Sequence, residues 1–214
     1  MNELKPVTQK EGVIKSRDEN SGVLYFDPTG IKTFVDLTTN MVKKVSPGIR
    51  KKALDNYLNH NEHDTYKYQT KSGLTTYIWD IKGSVCNETE FHIAEKLATS
   101  GQHVLFPNQG VFGKGRKNDV YLYDVKTYIQ QKVELKALFG KTAETFKSQL
   151  ISGAGQASVI AYDIQSNIKK MWLIDGLRKG WGKETKKVLL NYKGQWYEID
   201  RKKLYDDWLE KNLK

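Results

Sequence analysis

Asp119 and Glu134, with Lys136 just beyond, are the residues whose types and spacing best suit chemistry. They bracket 118–136, "NDVYLYDVKTYIQQKVELK", which reads as a β-hairpin. Alternate side chains of a strand share a face, so Glu134 and Lys136 point one way while Val133 and Leu135 point to an apolar side. A turn centred on Lys126-Thr127 sets Asp119 opposite Glu134, with Cβ atoms ~5 Å apart. A slip of one residue would send one carboxylate to the other face. Two carboxylates this close repel unless a cation lies between them. Mg²⁺ (or Mn²⁺) suits such a site, held by Asp119 and Glu134 with the Leu135 carbonyl as a further oxygen, and keeps several waters. Such an ion acidifies a bound water and neutralises charge on a phosphate. Lys136 would orient the attacking hydroxide or stabilise the charged transition state. The plainer reading makes Asp119 a strand-edge residue and Glu134 with Lys136 a solvated pair.

The elements that must position these residues follow from periodicity and punctuation. Residues 1–20 are polar and aperiodic and read as a flexible lead. "GVLYFD" and "IKTFVDL" read as strands around Pro28-Thr29-Gly30, and "SPGIRKKALDNYLNHN" as a helix capped by Ser46. A hairpin turning at 71–73 completes a small β-β-α-β-β unit, giving an expected N-terminal domain over 1–84. A second domain is expected over 85–214. It opens with a helix over 87–101 capped by Asn87, then the strand "HVLFP" and a Gly-rich basic loop, "NQGVFGKGRKN". The hairpin follows, then a helix over 142–155 and the apolar strand "QASVIAYDI". A helix capped by Ser166 or Asn167, a hairpin turning at Lys193-Gly194 and a closing helix complete the chain. The fold class is α/β, a mixed α+β arrangement with a mixed sheet flanked by helices.

"ND…VELK" resembles the Asp…Glu-x-Lys signature of the PD-(D/E)XK (restriction-endonuclease-like) nuclease superfamily, with Asn118 where Pro is usual. The wider arrangement over 87–165, including "ETEFHIAEKLATSGQHVLF" and "LISGAGQASVIAYD", is similar to the tRNA-cleaving C-terminal toxin domains of bacterial contact-dependent growth-inhibition systems. The resemblance implies a restriction-endonuclease-like core and a catalytic set of Glu90, Asp119, Glu134, Lys136 and Gln156. Glu88 rivals Glu90 for the first-helix acid. It also implies a metal-dependent tRNase toxin acting in the cytoplasm of a target cell, delivered by a larger carrier, with a cognate immunity protein in the producer.

Charge points the same way. Lys plus Arg number 35 against 25 Asp plus Glu, a net charge of +10, which favours a polyanionic partner. Lys114, Arg116 and Lys117 in the Gly-rich loop, and Arg178, Lys183, Lys186 and Lys187 further on, are the expected phosphate contacts. Trp181, Tyr192, Trp196 and Tyr197 lie among the latter and would stack bases, unless they belong to the core. The loop lacks the Gly-Lys-Ser/Thr ending of a P-loop. The single Cys86 excludes an intramolecular disulfide and a cysteine-based zinc site. His60, His63, His92 and His103 show no catalytic spacing. No apolar run approaches the ~20 residues of a membrane span, and the start of the sequence carries no apolar signal core. Two rivals stay open: a repair- or restriction-type DNA nuclease, and a non-catalytic basic nucleic-acid-binding module.

Overall fold

The computed structural model describes residues 46–108 and 119–214, together with the backbone of the strands that precede them. Those strands, β1 (Lys5–Lys10), β2 (Val13–Asp18), β3 (Gly22–Asp27), β4 (Gly30–Val35) and β5 (Val42–Lys43), form a five-stranded antiparallel meander in chain order. Two of them fall where a flexible lead was expected, because hairpin pairing supplies the backbone hydrogen bonds that the polar side chains do not signal.

The chain then enters α1 (Pro47–Asn59), where Ser46 Oγ accepts the Ile49 N–H and Pro47 occupies the first turn. β6 (His63–Gln69) and β7 (Thr75–Ile81) form the expected hairpin. It does not complete a separate unit, however. β7 pairs in parallel with β8 (Gln102–Phe106), so the hairpin is the far edge of one eight-stranded sheet that crosses the expected 84/85 boundary. The alternating pattern "TTYIWDI" is that of any half-buried strand, and its partner is chosen by packing far along the chain.

The sheet continues through β9 (Val120–Asp124), β10 (Gln130–Leu138), β11 (Val159–Ile164), β12 (Lys187–Tyr192) and β13 (Gln195–Asp200), in the order β13-β12-β11-β10-β9-β8-β7-β6. It is mixed, with β10-β11 and β11-β12 parallel and the hairpins antiparallel. Helices α2 (Glu88–Thr99), α3 (Ala143–Ala154) and α4 (Lys170–Gly180) make the crossovers, and α5 (Arg201–Tyr205) and α6 (Trp208–Asn212) close the chain where one helix was expected. The order α2-β8-β9-β10-α3-β11 is the one read from the sequence, and the fold is mixed α/β. Among the described residues no helix is long and apolar enough to cross a membrane.

Each face of the sheet has its own core. Ile93, Ala94 and Leu97 of α2 pack on Val104, Leu122, Val133, Leu135 and Ala161. On the opposite face Phe146 and Leu150 of α3 and Leu173 and Leu177 of α4 pack on Ile160, Tyr162, Val188 and Leu190. The Phe146 and Tyr162 rings meet edge to face at 4.8 Å. Ser166 does not cap α4 but donates its hydroxyl to the Gly140 carbonyl at 2.6 Å, and α4 begins after Lys169 with no side-chain cap.

The hairpin turn is longer than Lys126-Thr127 alone. The Asp124 carboxylate accepts the Lys126 N–H at 3.1 Å, the Thr127 N–H at 2.7 Å and the Thr127 hydroxyl at 2.8 Å. Tyr128, at φ 53, donates its N–H to the Asp124 carbonyl at 2.9 Å. The loop stays centred on the expected pair, so the register is the expected one: Val133 pairs with Val120 and Gln130 with Tyr123.

Two substitutions test these supports. A Cβ on Gly176 would lie 2.7 Å from the Ala143 carbonyl oxygen and 3.1 Å from Phe146 Cβ, so Gly176→Ala must push α3 and α4 apart. It lowers stability by about 1–2 kcal/mol despite alanine's helix propensity, read as a lower denaturant midpoint. Asp124→Ala removes three hydrogen bonds to one carboxylate and lowers stability by about 1–3 kcal/mol in the same measurement.

Candidate active site

β9 begins at Val120, opposite Val133, so the outgoing half of β10 is paired on one side only, with β11. This exposed strand edge is where the acidic residues gather. The Leu135 N–H, without a β9 partner, donates to Asp119 Oδ2 at 2.7 Å. A side-chain carboxylate thus stands in for the missing strand and is fixed in place by it.

Glu134 pairs with Ile160 and Lys136 with Tyr162 across the β10-β11 ladder, so both project to the α3-α4 face. Glu134 is 1% exposed, and its Oε1 is in contact with Lys136 Nζ. Its other oxygen, Oε2, is buried without a hydrogen-bond donor. Burial, then the charge of Asp119, raises the Glu134 carboxyl to about 7, against the pull of Lys136. Burial also raises Asp119, opposed by the Leu135 N–H and by Lys136. The two carboxyls lie within hydrogen-bonding reach, yet when both are ionised neither can donate. The site is therefore short of positive charge by about one proton or one cation.

Glu90 approaches from the first turn of α2. It completes a capping box: Asn87 Oδ1 accepts the Glu90 N–H at 2.9 Å, and Glu90 Oε2 accepts the Asn87 N–H at 3.2 Å. Its carboxyl is raised first by burial and then by Asp119, and lowered by Asn87 and Lys136. The expected structural role and the expected place at the site therefore coexist in one side chain. Glu88 is exposed, and Glu90 is the half-buried acid that feels the charges of Asp119 and Lys136. The same negative field reaches Cys86, whose thiol is pushed up to about 12 by burial and then by Asp80, Glu90 and Asp119. A cleft of 460 Å³ between α2 and β10 is lined by Asn87, Glu90, Leu135, Lys136 and Phe139, so that Lys136, rather than Asp119 or Glu134, borders it.

The remaining expected residues are placed less uniformly. Gln156 is exposed in the turn between α3 and β11, and among the described residues its side chain makes no hydrogen bond to the acidic cluster. Lys114, Arg116 and Lys117 lie outside the described residues. Lys183 and Lys186 are exposed, and the Lys186 N–H donates to the Ser158 carbonyl at 2.8 Å, beside the start of β11. Lys187 is held by Glu198 at 2.8 Å. Arg178 ties α4 to the C-terminal helices through Glu210 at 2.8 Å and the Leu204 carbonyl at 3.1 Å. The interleaved aromatics belong to the core rather than to a stacking surface: Trp181, Tyr192 and Tyr197 are buried, and half-buried Trp196 donates to the Lys96 carbonyl at 3.3 Å.

His92 meets Glu95 at 3.4 Å on the exposed face of α2. His103 is buried among Tyr77, Trp79 and Tyr128 and accepts the Tyr77 N–H at Nδ1, and burial lowers it to about 4. Among the described residues no group of three or more His, Cys, Asp or Glu is arranged to hold a metal, so any ion here would rest on the Asp119-Glu134 pair and backbone or water oxygens. A second polar cluster escaped the sequence reading. Asp163, buried on the α2 face, is met by Lys96 Nζ at 2.7 Å, by Asn191 Nδ2 at 2.7 Å and by Gln165. The lone acid in "VIAYDI" was its only signal. With three donors it is satisfied, and it pins α2 to β11 and β12.

The electrostatic strain at Glu134 has a measurable sign. A carboxyl raised from 4.5 to about 7 on folding binds more protons in the native state, so its charge opposes folding above both values and not below them. In metal-free protein Glu134→Gln is expected to be more stable than wild type at pH 8, by on the order of 2–3 kcal/mol, and equal to it near pH 4. Buried His103 contributes an opposite slope in both proteins, so the difference between their urea-denaturation curves in chelator, taken pH by pH, is the quantity to measure.

No protein-family model matches the chain, and no curated relative matches it. Among solved structures it is similar to a "CdiA-CT/CdiI toxin and immunity complex from Burkholderia pseudomallei", at 17% sequence identity and a TM-score of 0.40, over 54% of this chain and 90% of that one. A likeness of that extent is too slight to bear on function.

Proposed function

We propose that this chain is a divalent-metal-dependent endonuclease of the bacterial toxin kind, cutting RNA, with tRNA as the favoured substrate. The observation that carries the reading is the pairing of half-buried Asp119 with buried Glu134, with an orphaned Glu134 oxygen and Lys136 beside it, on the one-sided edge of β10. Two interacting carboxyls, with one buried carboxylate oxygen left without a donor, are costly in a merely structural role. They are well suited to a cation and a phosphodiester. The Asp…Glu-x-Lys order of these residues, and the charge of +10, support the same reading.

Asp119 and Glu134 would hold Mg²⁺ or Mn²⁺, with the Leu135 carbonyl as a further oxygen. When bound, the ion would supply Lewis acidity and offset the charge of the scissile phosphate. Lys136, on its short tether to Glu134, is free to donate to a phosphate oxygen or to orient the attacking water. Glu90 is suited to accept a proton from that water, since burial raises it and Asn87 fixes its orientation. Exposed Lys183 and Lys186, in the loop that leads into β12, would extend the phosphate contacts away from the cleft, and Gln156 remains a proposed member of the site. Lys114, Arg116 and Lys117 remain proposed contacts of the same kind.

A toxin of this kind would act in the cytoplasm of a target cell after delivery by a larger carrier. It would be restrained in the producer by an immunity protein, and an acidic one would associate rapidly with so basic a chain.

Incubation with tRNA and with plasmid DNA, with and without Mg²⁺, provides the test. The expected result is metal-dependent cleavage of tRNA that falls at least ~10³-fold in Glu134→Gln and Asp119→Ala, consistent with loss of the principal charge-stabilising groups. Both variants keep RNA affinity and folding. Cleavage of DNA alone would replace the substrate by that of a repair- or restriction-type nuclease. Salt-sensitive binding with no cleavage of either would leave a binding module.

A further inference from the structure

Phe139 follows the last residue of β10 and is 67% exposed. A single exposed apolar residue is ordinary. Three features set this one apart. It lies on the rim of the cleft that holds Glu90 and Lys136, and also on that of a second cleft of 580 Å³ along the outer side of α2. Its backbone is fixed on both sides: the Gln165 N–H donates to the Leu138 carbonyl at 2.9 Å, and Ser166 Oγ to the Gly140 carbonyl at 2.6 Å. Among the described residues its ring stacks on no other, whereas Phe91, on the rim of the second cleft, is stacked on Phe106 and meets Tyr66 edge-on.

Charge around the ring selects what can lie on it. Glu88 and Glu95 line the clefts beside it and repel a phosphate, while Lys136 and exposed Lys141 lie on the β10 side. A strand entering with its phosphates toward Lys136 therefore presents its bases, not its backbone, to Phe139. From Lys136 to Phe139 is about 10 Å along the chain at ~3.3 Å per residue, a distance the nucleotide flanking the scissile phosphate can span. We propose that Phe139 is a stacking platform for an unpaired base next to the cleavage point, so that the site takes single-stranded nucleic acid, a loop or an end, and not continuous duplex. This rests on the nuclease reading. The physical reason is that a base within a duplex has both faces covered by its neighbours, whereas an unpaired base offers one to an aromatic ring.

The test uses the full chain and oligonucleotides carrying 2-aminopurine beside the cleavage point. On Glu134→Gln protein, which binds without cutting, the fluorophore is quenched, and the quenching is lost in the Glu134→Gln/Phe139→Ala double variant. Phe139→Ala alone lowers kcat/KM on a hairpin-loop substrate roughly tenfold, Phe139→Trp restores it, and a blunt duplex of the same sequence is cut poorly by all of them. Equal quenching and equal cleavage with and without Phe139 would overturn the proposal, including the case in which Phe139→Ala weakens only the grip of a protein inhibitor. Wild-type protein that neither binds nor cuts nucleic acid would remove the nuclease reading, and this inference with it.

Discussion

The hydrogen bond from the Leu135 N–H to Asp119 is the contact on which the site depends. It forms because β9 stops pairing at Val120 while β10 runs on to Leu138. The strand edge left bare must be satisfied, since an unpaired buried N–H costs about as much as a lost hydrogen bond. A carboxylate that satisfies it is brought against Glu134, on the neighbouring residue of the same strand. The acid pair is thus a consequence of unequal strand lengths. What would be a defect in a purely structural sheet becomes a concentration of negative charge beside Lys136, which lines the cleft between α2 and β10.

Everything else holds that edge still. Asp124 fixes the turn and hence the register, and hydrogen bonds from Lys126 and Thr127 keep its carboxyl below the usual range although burial pushes it up. α3 and α4 pack closely through Gly176 and Gly180 and cover the face to which Glu134 points. α2 covers the other face and delivers Glu90, with Lys96 and Asp163 fastening it to the sheet. The capping box that starts α2 also orients Glu90, so one side chain both begins the helix and lies within the field of Asp119 and Lys136. Stability and chemistry are therefore opposed at Glu134 and aligned at Glu90.

Much of this was legible in the residues. Strand alternation placed Glu134 and Lys136 on one face, and a turn centre at Lys126-Thr127 set the register, because both depend on local geometry alone. Helix starts at Asn87 and Ser46 were marked by side chains that bond to the backbone within the next turn. The basic, aromatic stretch after α4 was misleading. Trp181 and Tyr197 are buried because the sheet and the C-terminal helices close over them, and Arg178 is taken by Glu210 from a helix at the end of the chain. No local pattern distinguishes a ring that stacks a base from one that fills a core.

The sequence alone therefore determined most of the elements from α1 onward, their order, the hairpin register and the chemical types at its two ends, all matters of neighbours a few residues apart. Only the tertiary structure decided that β6 and β7 join the same sheet as β8, that Glu134 is stripped of water, and that Glu90, half-buried where Glu88 is exposed, feels the charges of Asp119 and Lys136. It also decided that Asp163 is satisfied by Lys96 and Asn191 from distant elements, with Gln165 two residues along the chain. The reason is that burial and charge pairing depend on which surfaces meet, and surfaces meet through contacts between segments that the linear order does not bring together.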